Sequence, residues 1–256
     1  MKKIFAIVLS ALLCLSLFMV AGCGSAFDAN YKETDAETMN EIVDKAEDAE
    51  AGTSIDYFKG VKLVIDVEMK MSAQGKTESM AVKGNMVMAA IDEKLAMSGE
   101  IKANGDGENV DGKVYYSDGY LYANGTYKNN TVKMKQEMPI EYFIDRYTDG
   151  AEQMMDIAFA MRQFGSLEGA KFFQAEKDGN TYIKFTFESA EMGKVEMYFI
   201  FNADFNLIGF KMQSSGKMEL GGGSMESKML ISMEPYSGSI NLPSDLDTYE
   251  EGEFDN

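Results

Sequence analysis

From Val61 onward the chain alternates apolar and polar residues with a period of two. Val61, Leu63, Ile65, Val67, Met69 and Met71 interleave with Lys62, Val64, Asp66, Glu68 and Lys70, the pattern of a long strand with one dry face and one wet face. Gln74-Gly75-Lys76 turns the chain back through Met80, Val82, Gly84, Met86 and Met88, and a third run carries Leu95, Met97, Gly99 and Ile101. Residues 113–117 and 120–123 flank Asp118-Gly119, a favoured two-residue hairpin signal. A further strand is expected from 126 to 137, after Asn124-Gly125. The alternation resumes beyond Gly165 with Ile183, Phe185 and Phe187, then Val195, Met197, Phe199 and Phe201, then Ile208, Phe210 and Met212, and finally Met229, Ile231 and Met233.

Two segments keep a helical period instead. Over residues 34–49, Met39, Ile42, Val43 and Ala46 fall three and four apart, with Thr34 or Asp35 placed to cap and Glu37 in the first turn. After Pro139, which suits a first helical turn, Ile140, Phe143, Ile144, Tyr147, Met154, Met155 and Phe159 keep to one face as far as residue 164.

These elements predict a mainly β (α+β) protein. Its architecture is a single highly curved antiparallel sheet, an incomplete β-barrel of about ten or eleven strands at hairpin spacing. A short N-terminal helix precedes the sheet, and a mid-chain helix covers its concave face. A two-sheet sandwich is the competing architecture, but it has little use for a mid-chain helix with so broad an apolar face. Asn104-Gly105-Asp106-Gly107-Glu108-Asn109 places oxygen side chains at alternate positions like a calcium loop. It lacks a glycine at the sixth place, and Tyr115 stands at the twelfth, so the segment reads as a solvated hairpin turn.

The first residues have a different character. Lys2 and Lys3 precede an apolar run from Ile4 to Val20 that only Ser10 and Ser16 interrupt, and Val20-Ala21-Gly22-Cys23 closes it. That order is an export signal ending in a bacterial lipidation site; a retained anchor helix is the competing reading. The chain therefore divides into a signal peptide (1–22), a polar lipidated stalk (23–33) and one domain (34–256), with Cys23 as the acylated residue. Because acyl chains contribute about 0.8 kcal/mol per buried methylene, a multiply acylated Cys23 would hold the domain on the outer side of a bacterial cell membrane.

Loss of residues 1–22 removes Lys2 and Lys3, which leaves 22 basic against 42 acidic residues, a formal charge of −20. Such a surface repels nucleic acid and anionic headgroups, so membrane contact is expected through the lipid. The chain has no histidine, and Cys14 leaves with the signal, so only Cys23 remains. Histidine-activated nucleophiles, typical zinc sites and internal disulfides are thereby excluded. No metal, cofactor or catalytic residue is expected. A carboxylate pair could in principle act as a glycosidase, but 42 acidic residues place some pair at the right separation in any fold.

Methionine is the remaining compositional signal, with 21 in the chain, many of them in the inward register. Methionine is unbranched and polarizable, so it fills a core or lines an adaptable ligand cavity equally well. Scavenging of oxidants would favour exposed methionines, whereas these alternate inward. The expected cavity lining is Met69, Met71, Met86, Met88, Met97, Phe143, Tyr147, Phe159, Phe185, Phe199, Met212 and Ile231.

The order of features, from lipobox and short helix through two meanders around a helical stretch to the tail Ile240-Asn241-Leu242-Pro243-Ser244-Asp245, resembles envelope lipoproteins of the lipoprotein-carrier (Lol) type. Mycobacterial lipid-carrying lipoproteins are similar in shape. The resemblance covers roughly residues 34–250 and implies a half-barrel whose apolar concave side takes a lipid or the acyl group of another lipoprotein. The alternative is an envelope sensor or protein-interaction module with a filled core.

Overall fold

The strand that β-periodicity announces at Val61 becomes the centre of one very wide sheet. The computed structural model of the protein describes residues 27–48, 60–73, 76–91, 94–105, 108–127, 130–139, 169–189, 193–220 and 223–252. Strand β1 (Lys32–Thr34) precedes helix α1 (Ala36–Asp48). A first meander follows with β2 (Val61–Ala73), β3 (Lys76–Ile91), β4 (Lys94–Gly105), β5 (Glu108–Ser117), β6 (Tyr120–Tyr127) and β7 (Asn130–Glu137). The second meander holds β8 (Lys171–Lys177), β9 (Asn180–Ser189), β10 (Gly193–Phe201), β11 (Leu207–Leu220) and β12 (Gly223–Pro235), and β13 (Glu250–Glu251) ends the order.

All the strands belong to one open sheet in the order β1-β8-β9-β10-β11-β12-β2-β3-β4-β5-β6-β7-β13. It is antiparallel except for the parallel β7–β13 pair. The expected mainly β, single-sheet half-barrel is therefore the observed one, and it is no sandwich. The last strand of the second meander pairs with the first of the first, from Gly223 opposite Ala73 to Pro235 opposite Val61, so the two meanders share a continuous surface.

Three expectations need correction. The described residues form 13 strands rather than ten or eleven, because the short edge strands β1 and β13 and the strand β8 carry little or no alternation. Asn124-Gly125 lies inside β6, paired with Gly112-Lys113, and the strand expected over 126–137 is split between β6 and β7. The stretch 23–33 is not a plain stalk, since Phe27 is 4% exposed and Lys32 already pairs with Gln174. Past the tail, Glu250 adds to the sheet by pairing in parallel with Met134 of β7. The helix expected over 139–164 lies outside the described residues beyond Pro139.

Several local signals do their expected work. Asp35 caps α1, accepting a hydrogen bond from the Thr38 amide at 2.8 Å, which holds its carboxyl below the ordinary range. Asp118 and Gly119 both take positive φ, 51° and 81°, as a two-residue hairpin of the favoured twist requires. Asp178 and Gly179 repeat this between β8 and β9 at 54° and 78°. In the segment read as a hairpin turn, Asn104 pairs with Asn109 and Gly105 with Glu108.

The two faces of the sheet have separate jobs. Besides a small apolar cluster of Ile65 and Ile101, the inward face carries two large ones. In one, Met39, Ile42 and Val43 of α1 pack on Phe172, Ile183, Phe185, Phe187, Phe199 and Phe210. In the other, Val61, Leu63, Met86, Met88, Met97, Val114 and Tyr116 pack together, and Met233 touches both. The outward face carries cross-strand ion pairs such as Lys102–Asp111 at 2.9 Å and Lys113–Glu100 at 3.2 Å, each exposed and worth little alone.

The first and last described segments cross the outward face as straps. Phe27 and Tyr31 pack on Tyr182, Tyr198 and Ile200 over β9 and β10, and Lys177 Nζ donates to the Asp28 carbonyl at 2.8 Å. On the other half, Leu242, Leu246 and Tyr249 cover Tyr115, Tyr120 and Tyr122, with Tyr249 edge-on to Tyr122 at 5.5 Å. Each strap ends by adding a short strand to an edge of the sheet, which satisfies backbone groups that an open edge would leave unpaired.

Candidate functional site: the inward face between β2 and β5

The register places the inward residues in rows that run across the strands. One row reads Phe172, Phe185, Met197, Met212, Ile231, Ile65, Gly84, Ile101, Gly112 and Gly125. On the β8–β12 side every position is bulky; on the β3–β6 side glycines open the row. A Cβ built on Gly84 would meet only the Glu100 carbonyl, at 3.8 Å, whereas one on Gly99 would stand 3.0 Å from the Asn85 carbonyl oxygen. The room therefore lies above Gly84.

A small apolar pocket occupies that place. Leu63, Ile65, Gly84, Met86, Ile101 and Val114 line it from the inward register, together with Val64, Asn85 and Glu100, and its free space is about 270 Å³ with open solvent included. Its enclosed part is only about 10 Å³, about the room one water needs, so the pocket is a shallow apolar dimple and a ligand would lie along the open face above it. From it the inward row continues to Val67 and Val82, partly buried against Ile65 and Ile101, and then to Met69 opposite Met80.

The expected lining residues are divided by the structure. Met86 lines the pocket directly. Met88 and Met97 belong to the same cluster but are 2% and 4% exposed, in closed packing. Phe185 and Phe199, each 1% exposed, and Ile231 form core under α1, with Met212 packed against them. Met69 and Met71 lie further out, and Met71 is 50% exposed. Phe143, Tyr147 and Phe159 lie outside the described residues, as do Cys23 and the signal segment. Sequence reasoning missed Leu63, Ile65, Gly84, Ile101 and Val114 as lining; the inward glycine at position 84 was the signal for them. It also equated the inward register with burial, and Met80 at 41% exposure, like Met71, shows that the two differ.

The polar chemistry of the described residues lies on the outward face, under the N-terminal strap. Burial alone would raise the Glu196 carboxyl, but hydrogen bonds from Lys194 and Gln213, the Lys184 charge and the Tyr198 hydroxyl hold it down at about 2. Lys194 Nζ lies 3.0 Å and Lys184 Nζ 3.4 Å from the carboxylate, and the Tyr198 hydroxyl donates at 3.1 Å. The Tyr198 ring takes the Lys211 and Lys184 ammonium groups at 4.9 and 5.1 Å and meets Phe27 and Tyr31 edge-on. Burial, then the neighbouring Tyr198, Tyr182 and Asp28, push the Tyr31 phenol up. Every polar group of this network is satisfied, as in a structural clamp.

Among the described residues no group of three or more His, Cys, Asp or Glu side chains is placed to hold a metal ion, and no helix is long and apolar enough to cross a membrane. No curated protein matches the chain. Three solved structures are similar at low level. The ywiB protein from Bacillus subtilis shares 8% identity over 69% of this chain and 93% of its own, with a TM-score of 0.19. A DUF1329 family protein from Desulfovibrio piger shares 8% over 83% and 97%, with a TM-score of 0.23. A beta-barrel-like protein of DUF1849 from Brucella abortus shares 12% over 70% and 99%, with a TM-score of 0.19. A family described as "Family of unknown function (DUF6612)" matches residues 38–195.

Proposed function

The chain belongs to the DUF6612 family, and for this member we propose a non-enzymatic, lipid-anchored protein of the bacterial envelope that holds an acyl chain on its inward face. The observation that carries the reading is the apolar pocket above Gly84, set in an open sheet whose inward rows continue from it toward Met69 and Met80. Apolar burial at about 25 cal/mol per Å² is sufficient to retain an alkyl segment without a cofactor or a covalent step. Met86 is the adaptable wall of the pocket, since three rotatable bonds let it move aside for a longer chain. The order of elements agrees with the lipoprotein-carrier resemblance, and the export signal ending at Cys23 supplies the anchor and the extracytoplasmic location.

The second reading is a sensor or protein-interaction module with no ligand. Its support is the filled half of the same face, where α1 closes over Phe185 and Phe199. Mass spectrometry of the purified chain, native and after organic extraction, separates the two. A stoichiometric lipid that is present in wild type and lost in folded Met86→Glu supports the acyl site. An apo mass with no uptake of added fatty acid or phospholipid supports the interaction module. In the same experiment, an acyl mass on wild type that is absent from Cys23→Ser tests the anchor.

A further inference from the structure

The middle of the sheet is longer than its flanks. Strand β10 begins at Gly193, beside Gly216 of β11, with Lys194 paired to Ser215, and β4 ends with Gly105 opposite Met80 of β3. Beyond those points, among the described residues, only β11, β12, β2 and β3 continue, as a four-stranded tongue.

On the inward side of this tongue the register defines two rows. The outer row is Met218, Met225, Met71 and Glu78; the row behind it is Gly216, Ser227, Met69 and Met80. Every apolar residue in the two rows is methionine, and the other positions are glycine, serine or glutamate. Closer to the core the same face reverts to mixed apolar residues, with Val67, Val82, Ile65 and Ile231 beside Met229 and Met212. If these positions served only to pack or to form strand, valine, isoleucine and aromatic residues would suit them better. Packing in particular does not account for Met71 and Met80, which are 50% and 41% exposed.

What the five side chains share, and what no other apolar residue could supply, is a thioether sulfur. Met218, Met225 and Met71 stand directly opposite one another on three adjacent strands, about 4.8 Å apart from strand to strand. Met69 follows Met71 one register step behind, about 7 Å along the strand, and pairs with Met80. Each side chain has three rotatable bonds, and the small residues Gly216 and Ser227 stand in the row behind. Soft thioether ligands select soft monovalent metals, copper(I) above all, over zinc or calcium. We propose that the methionine tongue is a surface site for a copper(I)-class cation, held by Met71, Met225 and Met218 with Met69 and Met80 as the second rank.

The test is a calorimetric titration of the full chain, its cysteine thiols alkylated, with silver(I) nitrate in chloride-free buffer, silver(I) being a redox-stable stand-in for copper(I). Saturation at one silver(I) per chain is expected, with no heat from zinc(II) at the same concentrations. Met71→Leu and Met225→Leu should each weaken binding at least tenfold, whereas Met88→Leu in the closed core should bind as wild type. Leucine conserves volume at these positions, and a folding-independent readout comes from wild-type chain labelled with ¹³C at the methionine methyls. Silver(I) should move the Met69, Met71, Met80, Met218 and Met225 signals and leave Met88 and Met97 in place. Absence of saturable silver(I) binding, equal binding of zinc(II), undiminished affinity in Met71→Leu/Met225→Leu, or shifts confined to core methionines would each overturn the proposal.

Discussion

Glu196→Gln probes the clamp that holds the N-terminal strap against the sheet. In the folded protein this carboxyl titrates at about 2 against an ordinary value of 4.5. A depressed carboxyl stabilises the fold above its unfolded value and loses that contribution as pH falls from about 4.5 through about 2. At 1.36 kcal/mol per unit the shift corresponds to a ceiling of about 3 kcal/mol. The carboxylate is 12% exposed but its partner Lys194 is 61% exposed, so solvent screening brings the expected contribution to about 1–2 kcal/mol. Denaturant melts of wild type and Glu196→Gln at pH 7, 4, 3 and 2 measure it. The difference between the two proteins cancels the other carboxylates. It should be about 1–2 kcal/mol at pH 7, shrink between pH 4 and 2, and approach zero once the wild-type carboxyl is protonated. A difference that stays constant across that range would show that the substituted amide disrupts packing and that the charged contacts contribute nothing.

Four further outcomes follow from the packing. Gly84→Leu should cover the pocket and abolish lipid uptake, while Gly99→Ala, whose methyl would press on Asn85 and Met86, should cost about 1–3 kcal/mol in urea melts. Phe185→Ala removes a 1% exposed ring packed between Phe172 and Phe187 and should cost about 3–5 kcal/mol by the same assay. Tyr249→Ala should release the C-terminal strap and expose Tyr115 and Tyr122, read as faster limited proteolysis within residues 235–252 while the inward clusters keep their hydrogen-exchange protection.

Strand identity, the dry face and the Asp118-Gly119 hairpin were legible because each is encoded within a few residues: side chains alternate with a fixed period of two, and a two-residue turn needs positive φ at both positions. Asp178-Gly179 carried the same signal, and with it β8 could have been placed. The cap at Asp35 was equally local. Tertiary structure alone decided that β12 pairs with β2, that Phe27 and Tyr249 strap the outward face, and that the Phe185 half of the inward row is packed while the Gly84 half is open. It also decided that Met71 and Met80 are exposed although their register points inward. The physical reason is that alternation fixes which face a side chain is on, whereas burial depends on which distant segment covers that face and how far the neighbouring strands extend, and neither leaves a local trace in the chain.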